Sequence, residues 1–269
     1  MITCEEIYDL HTTGALESAL CEAYREIPLD SRNSMRKNDT PLHMACAFVD
    51  ENAVRILLER GADVNVRNDD GDTPLCVLAK RKCCGKETTI AGIAGLLVSK
   101  EARVPRSGKN TTALIEAVGN RHFLMADILL MSGCRIDSTN SNGNNVLHVI
   151  CQSAGDIAYD IKRTKERIAD FSERWYSEKD KREAYENMEY LEEADRQCFL
   201  TAKRILENGQ IDTEDKNNIG KTALDIAWET GARRIGALLS GQDPDTDELS
   251  ALIGGLDVFQ ALWYKAVSY

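Results

Sequence analysis

The apolar and polar positions of this chain recur with a nearly constant spacing. A tetrapeptide of the Thr-Pro-Leu-His type returns, with variations, at five starting positions: Thr40, Thr73, Thr112, Asn145 and Thr222. The successive offsets are 33, 39, 33 and 77 residues. An apolar run and a second recurring segment follow, as in Ile56-Leu57-Leu58 and Gly61–Asn65, although the third repeat has Ala102-Arg103-Val104 where the others have a glycine-containing segment. This period predicts pairs of short helices that bury their apolar faces by stacking on one another.

Local signals mark the ends of these helices. Thr40 can accept a hydrogen bond from the first helical turn, and Pro41 suits the first helical position because that position needs no N–H. Gly61 follows the apolar run and suits the left-handed conformation that commonly ends a helix. We therefore expect a helix to begin at Pro41 and a second helix to end near Gly61.

The stretch from Asp39 to Gly71 resembles the ankyrin repeat over its whole length, and the resemblance extends over roughly residues 3 to 240. It implies two antiparallel helices and a projecting β-turn finger per repeat, stacked into a curved solenoid. Residues 3–29 look like a degenerate first repeat that would act as an N-terminal cap. The segment Lys221–Gly241 resembles a closing repeat, in which Asp225 replaces the tetrad His. We expect about six helix-pair repeats in all.

The offset of 39 indicates about six extra residues in the third repeat. They fall near Lys80–Lys86, a basic segment between the two helices of that repeat, which includes the vicinal pair Cys83 and Cys84. A redox or metal role is one interpretation, and a solvated loop with two incidental thiols is the other. Because a metal site needs three or four ligands and no His lies nearby in sequence, we favour the solvated loop.

The offset of 77 contains a larger insertion, at about residues 154–203. No Gly or Pro occurs from Asp156 to Asn208, and apolar residues recur at helical spacing on both sides of a polar stretch, Ser177–Arg182. This pattern predicts that the two helices of the fifth repeat are extended into an antiparallel hairpin. A single continuous helix that pairs elsewhere is the alternative.

The chain ends with an acidic linker and an amphipathic segment, residues 242–269. Acidic residues at 243–248 precede apolar residues at helical spacing, which predicts a C-terminal helix. We expect it to cover the end of the last repeat, with a partner-binding or homodimer surface as the alternative. The expected fold is therefore all-α, an ankyrin-like solenoid over residues 1–241 with a helical-hairpin insertion and a C-terminal helix.

Composition narrows the class of partner. The formal net charge is −11, which argues against nucleic acid, because phosphate binding needs clustered Lys and Arg. No run of 18 apolar residues is present, so we expect no membrane partner and no transmembrane helix. Nine cysteines at irregular spacing indicate small buried thiols in a reducing compartment rather than a disulfide framework. We expect a cytoplasmic protein, in its own cell or in a host cell, and see no signal peptide.

Nothing in the sequence indicates catalysis. Of the four histidines, His43 and His148 occupy the tetrad position, where a structural hydrogen bond between neighbouring repeats is expected, and His11 and His122 are isolated in sequence. No nucleophile-elbow, zinc-protease, phosphate-binding-loop or dinucleotide motif occurs. We therefore expect no catalytic residue, no metal and no cofactor.

The resemblance implies that binding uses the finger tips and the exposed face of each first helix. We expect a partner-binding surface made of Arg36, Lys37, Phe48, Asp69, Asp70, Asp72, Lys80, Arg81, Lys109, Asn110, Ser141, Asn142, Asn144 and Gln152, with Trp175, Tyr176 and Tyr185 near the hairpin tip. Turn chemistry also accounts for Asn, Asp and Ser in fingers. The predicted function is a non-catalytic scaffold or adaptor for an unknown protein partner. The alternatives are an enzyme with a site at the hairpin or tail, and a self-assembly module.

Overall fold

A computed structural model describes residues 2–82, 85–102, 112–170 and 176–242 of this chain. These residues form two compact units, residues 2–135 and residues 136–242. Cys83, Cys84, the third finger with Lys109 and Asn110, Trp175 and the predicted C-terminal helix lie outside the described residues. The division between solenoid and tail at residue 241 therefore stays a prediction.

The first unit is a series of four helix pairs. Each pair is one repeat, and the bounds are α1 Cys4–Thr13 with α2 Glu17–Glu26, α3 Pro41–Phe48 with α4 Glu51–Glu59, α5 Pro74–Ala79 with α6 Glu87–Ser99, and α7 Ala113–Gly119 with α8 Phe123–Met131. First helices pack on first helices and second helices on second helices along the series. The N-terminal repeat begins with a capping box, in which Thr3 and Glu6 bond each other's backbone N–H.

The second unit contains two further pairs, α9 Val146–Ala169 with α10 Glu178–Glu207, and α11 Ala223–Thr230 with α12 Arg233–Leu239. Across the described ranges this gives twelve helices and no strand, so the all-α repeat prediction is confirmed. The six pairs agree with the six repeats expected from the period. The link between α5 and α6, residues 80–86, is longer than the two-residue link at 49–50, as the offset of 39 predicts.

The recurring leucines form the equivalent interior positions of the repeats. Leu42, Leu75, Leu114 and Leu147 are each no more than 1% exposed. Each buried leucine side chain stabilises the fold by about 1.5–3 kcal/mol. Leu224, in the last described repeat, is only partly buried. The repeats of both units therefore use the same kind of buried leucine position, which is less buried in α11.

The helices begin where the sequence signals place them. Thr40 precedes α3, and its hydroxyl and backbone N–H both lie within hydrogen-bond distance of the Nδ1 of His43, at 2.8 and 3.2 Å. At Thr222 the same arrangement uses the carboxylate of Asp225 in place of the imidazole. Gly61 adopts a left-handed φ of 87° just after α4. The capping chemistry is thus kept even in the repeat that lacks the tetrad His.

The long pair α9–α10 is the antiparallel hairpin predicted for the insertion. The amide of Asn187 donates to the hydroxyl of Thr164 at 3.2 Å, and the thiol of Cys198 lies 3.8 Å from the carbonyl oxygen of Ile150. Contacts that move forward along α9 therefore move backward along α10. At 1.5 Å per residue, the two helices are roughly 36 and 45 Å long.

Helix α11 packs closely on α9 at a glycine. A β-carbon built at Gly155 would overlap the side chain of Thr230 and lie 3.1 Å from its carbonyl oxygen. The hydroxyl of Thr230 donates to the carbonyl of Ile226 in its own helix at 2.8 Å and lies 3.3 Å from the carbonyl oxygen of Cys151 in α9. The glycine allows two helix backbones to approach more closely than any side chain would permit.

We predict that Gly155→Ala destabilises the protein by about 1–3 kcal/mol, because the new methyl group forces α11 away from α9. The matched control is Gly92→Ala in α6, where the new β-carbon would meet only the Glu51 carboxylate at an ordinary 3.7 Å. That substitution should be neutral or stabilising by up to about 1 kcal/mol, because Ala is the better helix former. Urea unfolding of both variants measures the difference, and equal effects would contradict the close contact.

Candidate binding surface

The first two fingers of the first unit are joined to each other through their backbones. The first finger, Asn33–Asp39, closes with a pair of bridged residues at its base, and the second finger spans Arg67–Asp72. The backbone N–H of Asp69 donates to the carbonyl of Lys37 at 2.8 Å, and the side chain of Asn68 donates to Asp39 at 2.7 Å. The fingers therefore form one ordered surface rather than two independent loops.

The tetrad histidine fastens this surface to the helices. His43 is fully buried, and its Nε2 lies 2.9 Å from the carbonyl oxygen of Asp72 at the base of the second finger. Its Nδ1 accepts from the backbone N–H of Thr40, so Nε2 carries the proton and donates to Asp72. Burial lowers the pKa of His43, which favours this neutral form. The structural role expected of the tetrad His is confirmed here.

The charged side chains at the finger tips pair across the fingers. Lys37 forms an ion pair with Asp70, and the amide of Asn38 donates to the carboxylate of Asp69 at 2.8 Å. Both ion-pair partners remain largely exposed, at 64% and 42% of their side-chain area. Exposed pairs of this kind contribute little to stability, so they remain available to a partner.

Asp72 does not belong with these exposed residues. It is 4% exposed, and its carboxylate forms a 2.6 Å ion pair with Lys80 of the next repeat. Its backbone N–H also bonds the side chain of Asn68 at 2.9 Å. This corrects the expectation that Asp72 contacts a partner, because its carboxylate is buried and is paired with Lys80.

Fingers of the second unit repeat the same construction. The backbone N–H of Asn218 donates to the carbonyl of Asn142 at 3.1 Å, and its side chain donates to the carbonyl of Ser141. Asn144 is 6% exposed and accepts from the side chain of Asn217 at 2.8 Å, so its assignment as a contact residue is also corrected. Ser141, Asn142 and Gln152 of α9 remain exposed.

An aromatic surface lies on the first helices of the first two repeats. The ring of Phe48 stacks on His11 with centroids 4.1 Å apart and lies 5.6 Å from the ring of Tyr8. Arg36 covers Tyr8 at 4.3 Å and donates to its hydroxyl at 2.6 Å. Met35 beside it is 84% exposed. Two expected residues, Arg36 and Phe48, are thus brought together.

Sequence reasoning missed Tyr8, His11 and Met35 at this surface. The first repeat is degenerate, so the register of α1 against α3 could not be assigned from the period. Met35 adjoins Arg36 in a finger of turn-forming residues, and an apolar residue at such a tip is the signal that could have found it. Burial lowers the pKa of His11, so its ring joins the stack in the neutral form.

The basic link after α5 is held by a buried histidine. His122 is 2% exposed, its Nδ1 lies 3.0 Å from the carboxylate of Glu87, and its Nε2 bonds the carbonyl of Arg81. Both neighbours are acceptors, so the ring donates to both only when it is protonated. Burial by itself lowers the pKa of His122, but the hydrogen bond and charge of Glu87 outweigh it and raise that pKa. His122 thereby connects the backbone of the link at Arg81 to Glu87 at the start of α6.

The hairpin aromatic residues are spread along the helices rather than gathered at one end. Tyr176 lies just before α10 and is partly buried, whereas Tyr185 lies two turns into α10 and is 57% exposed. Tyr159 on α9 is 65% exposed and was not among the expected residues. Tyr159 could have been found from the sequence, because it is an aromatic residue that lies outside the apolar seam of α9.

The described cysteines show no arrangement suited to catalysis or to metal. Six of the seven are buried, and burial raises the pKa of Cys134 and of Cys151 to about 12, so these thiols stay protonated. Within the described ranges, no three His, Cys, Asp or Glu side chains converge as a metal site requires. None of the described helices combines the length and apolar character needed to cross a bilayer.

We predict that Glu87→Gln destabilises the protein by about 1–3 kcal/mol near pH 6, because a charge-assisted hydrogen bond to a buried cation is lost. The pKa of His122 is raised in the folded chain. The stabilisation is therefore fully present below about pH 6.5 and is lost as the pH rises through the higher folded value.

Urea unfolding at several pH values between about 5.5 and 8.5 tests this, since the window brackets the ordinary His pKa. Glu59→Gln removes a similar charge from the exposed end of α4 and serves as the control. The difference between the Glu87→Gln variant and the original chain should shrink as the pH rises. A difference independent of pH would contradict a protonated His122.

Comparison with known proteins adds to this geometry. A family model for ankyrin repeats in many copies matches residues 27–76. An ankyrin repeat-containing protein of Schizosaccharomyces pombe is 34% identical over 68 residues, which are 23% of this chain and 33% of that protein. The phosphocholine transferase AnkX of Legionella pneumophila is 26% identical over 201 residues, 70% of this chain and 20% of that enzyme. The chain spans a third or less of the length of these relatives.

Proposed function

This chain is an ankyrin repeat protein, and on that premise we propose that it is a non-catalytic scaffold that binds another protein. The proposed surface combines the finger tips with the aromatic and basic face of the first helices in the first unit. Ankyrin repeats generally mediate protein–protein interaction. We locate the binding surface at these residues because the first two fingers form an ordered pair.

Order in the unbound chain is what supports binding by the fingers. Fixing a flexible backbone costs about 1–2 kcal/mol per residue, and a partner would have to supply that free energy on binding. Here the bonds from Asp69 to Lys37 and from His43 to Asp72 already hold the fingers in place. A partner that contacts Lys37, Asp69 or Asp70 therefore meets a preformed surface.

The chemistry of the surface indicates the kind of partner. Arg36 presents positive charge, Asp69 and Asp70 present negative charge, and Phe48 supplies an apolar centre. Lys80 is exposed as well, but its ammonium is paired with the buried carboxylate of Asp72. Alternating charge around an aromatic centre suits a protein surface of mixed charge better than a polyanion. Arg81, which is half-buried in the link after α5, is kept in the proposal on sequence grounds.

Three further sets of expected contact residues extend the proposal. Ser141, Asn142 and Gln152 are exposed in the second unit, and Tyr176 and Tyr185 lie on the hairpin. Lys109, Asn110 and Trp175 are kept on sequence grounds alone. We assign the main contacts to the first unit, because charge, exposure and an aromatic centre coincide there.

Catalysis is not part of the proposal. The relative named a phosphocholine transferase is aligned over 20% of its own length, so the alignment does not carry that enzyme's activity to this chain. The buried cysteines and tetrad histidines have structural environments rather than a shared cleft. The predicted role is therefore to hold a protein partner.

The test is quantitative affinity capture from the native cell with the full chain and a charge-reversed finger, Asp69→Lys with Asp70→Lys. Loss of two interface charges should reduce recovery of the specifically enriched partner roughly tenfold, equivalent to about 1.4 kcal/mol. The control, Glu22→Lys with Glu26→Lys, reverses two exposed charges on α2. Equal recovery with both variants would refute the finger surface.

A second variant tests the aromatic centre. Phe48→Ala should weaken capture of the same partner by a factor of about ten or more, as truncated aromatic anchors do. Because Phe48 also packs on His11 and Tyr8, its folding must be checked by circular dichroism before recovery is compared. Undiminished capture by a folded Phe48→Ala chain would remove the aromatic surface from the proposed site.

A further inference from the structure

The outer faces of the hairpin carry opposite charges on its two helices. On α9, Lys162, Arg163, Lys165 and Arg167 are exposed within a single six-residue stretch, in which Glu166 is the one exposed acidic residue. On α10, Glu183, Glu186, Glu189, Glu192 and Glu193 are exposed, and no Lys or Arg occurs from Glu183 to Asp195. We call these the basic band and the acidic band.

The two bands do not neutralise each other within the hairpin. Among the described residues, the ion pairs of the acidic band stay inside α10: Lys179 with Glu183, and Arg196 with Glu193. Lys162, Arg163 and Lys165 have no ion-pair partner in the described ranges, and neither do Glu186 and Glu189. Both bands therefore present unneutralised charge to solvent.

The register of the hairpin places the bands at one level. The bond from Asn187 to Thr164 sets the centre of the basic band beside the middle of the acidic band. A two-fold axis at that level would place the basic band of one copy against the acidic band of the other, and would do so twice. Because the basic band and the acidic band lie at the same level along the hairpin, this surface is complementary to the same surface on a second copy.

Neighbouring helices leave this part of the hairpin open. The described contacts of α11 and α12 with the hairpin fall at Cys151, Gly155, Asp195 and Phe199, all nearer the base than the bands. Tyr159, one turn from the basic band on α9, is 65% exposed. Within residues 136–170 and 176–242, the contacts of α11 and α12 named above therefore leave the bands and this ring exposed.

We propose that the α9–α10 hairpin binds a second copy of this chain, basic band to acidic band. Charge complementarity at matched height is the observation that selects a second copy over an unrelated protein. The interaction is electrostatic and exposed, so it is weak and depends on both concentration and salt. The finger surface of the first unit is not used, so this self-association and partner capture by the fingers can succeed or fail separately.

Sedimentation velocity of the full chain over a concentration series tests the proposal. A dimer is expected at about 0.1 M salt, and its dissociation constant should rise at least about tenfold at about 1 M salt, where the Debye length falls to about 3 Å. Two variants reverse one band each: Lys162→Glu, Arg163→Glu and Lys165→Glu, or Glu186→Lys, Glu189→Lys and Glu192→Lys. Each should be monomeric, because like charges then face each other.

The decisive chain combines all six substitutions. Its formal net charge is the original −11, and its bands are again complementary, so the dimer should return. A control that reverses Glu22, Glu26 and Glu59 to Lys, on α2 and α4, should leave the dimer unchanged. Circular dichroism confirms that every variant is folded. The proposal is overturned if the original chain stays monomeric, or if the dimer persists in both band-reversal variants.

Discussion

The hydrogen bond from a buried imidazole to the next repeat is the interaction on which this structure most depends. In the first unit His43 donates to the carbonyl of Asp72, and in the second unit His148 lies 3.0 Å from the carbonyl of Lys221. A buried backbone carbonyl without a partner costs about 1–3 kcal/mol. The bond meets that requirement at the base of these two fingers, and it joins each of the two repeats to the one that follows.

The candidate binding surface follows from that constraint. Once the bases of the fingers are held, the backbone of Asp69 can bond that of Lys37, and the tips become ordered without a core of their own. The side chains at the finger bases, Asp72 and Asn144, form bonds that stabilise the fold. The side chains at the tips do not take part in these bonds. In these fingers the stabilising bonds lie at the base, and the proposed contacts with a partner lie at the tip.

In the hairpin, the burial of apolar helix faces that stabilises each repeat continues along one longer pair of helices. Lengthening α9 and α10 extends the apolar seam past the neighbouring repeat, so the helices bury it against each other instead. The charged residues on their outer faces are exposed to solvent, where charge costs little free energy. The result is a long element whose inner face is determined by folding and whose outer face is open to recognition.

The sequence alone determined the repeat period, about six helix pairs and the helix start after Thr40, because these depend on local spacing and capping chemistry. It predicted the antiparallel hairpin but left one continuous helix as an alternative, and the structure decided between them. The tertiary structure decided which finger residues are exposed: Asp72 and Asn144 are buried by bonds to residues that the period does not identify. It also decided that Tyr8, His11 and Phe48 share one surface, and that His122 meets Glu87 across 35 positions. Contacts between distant side chains depend on the register of one helix against another, which no local pattern of residues encodes.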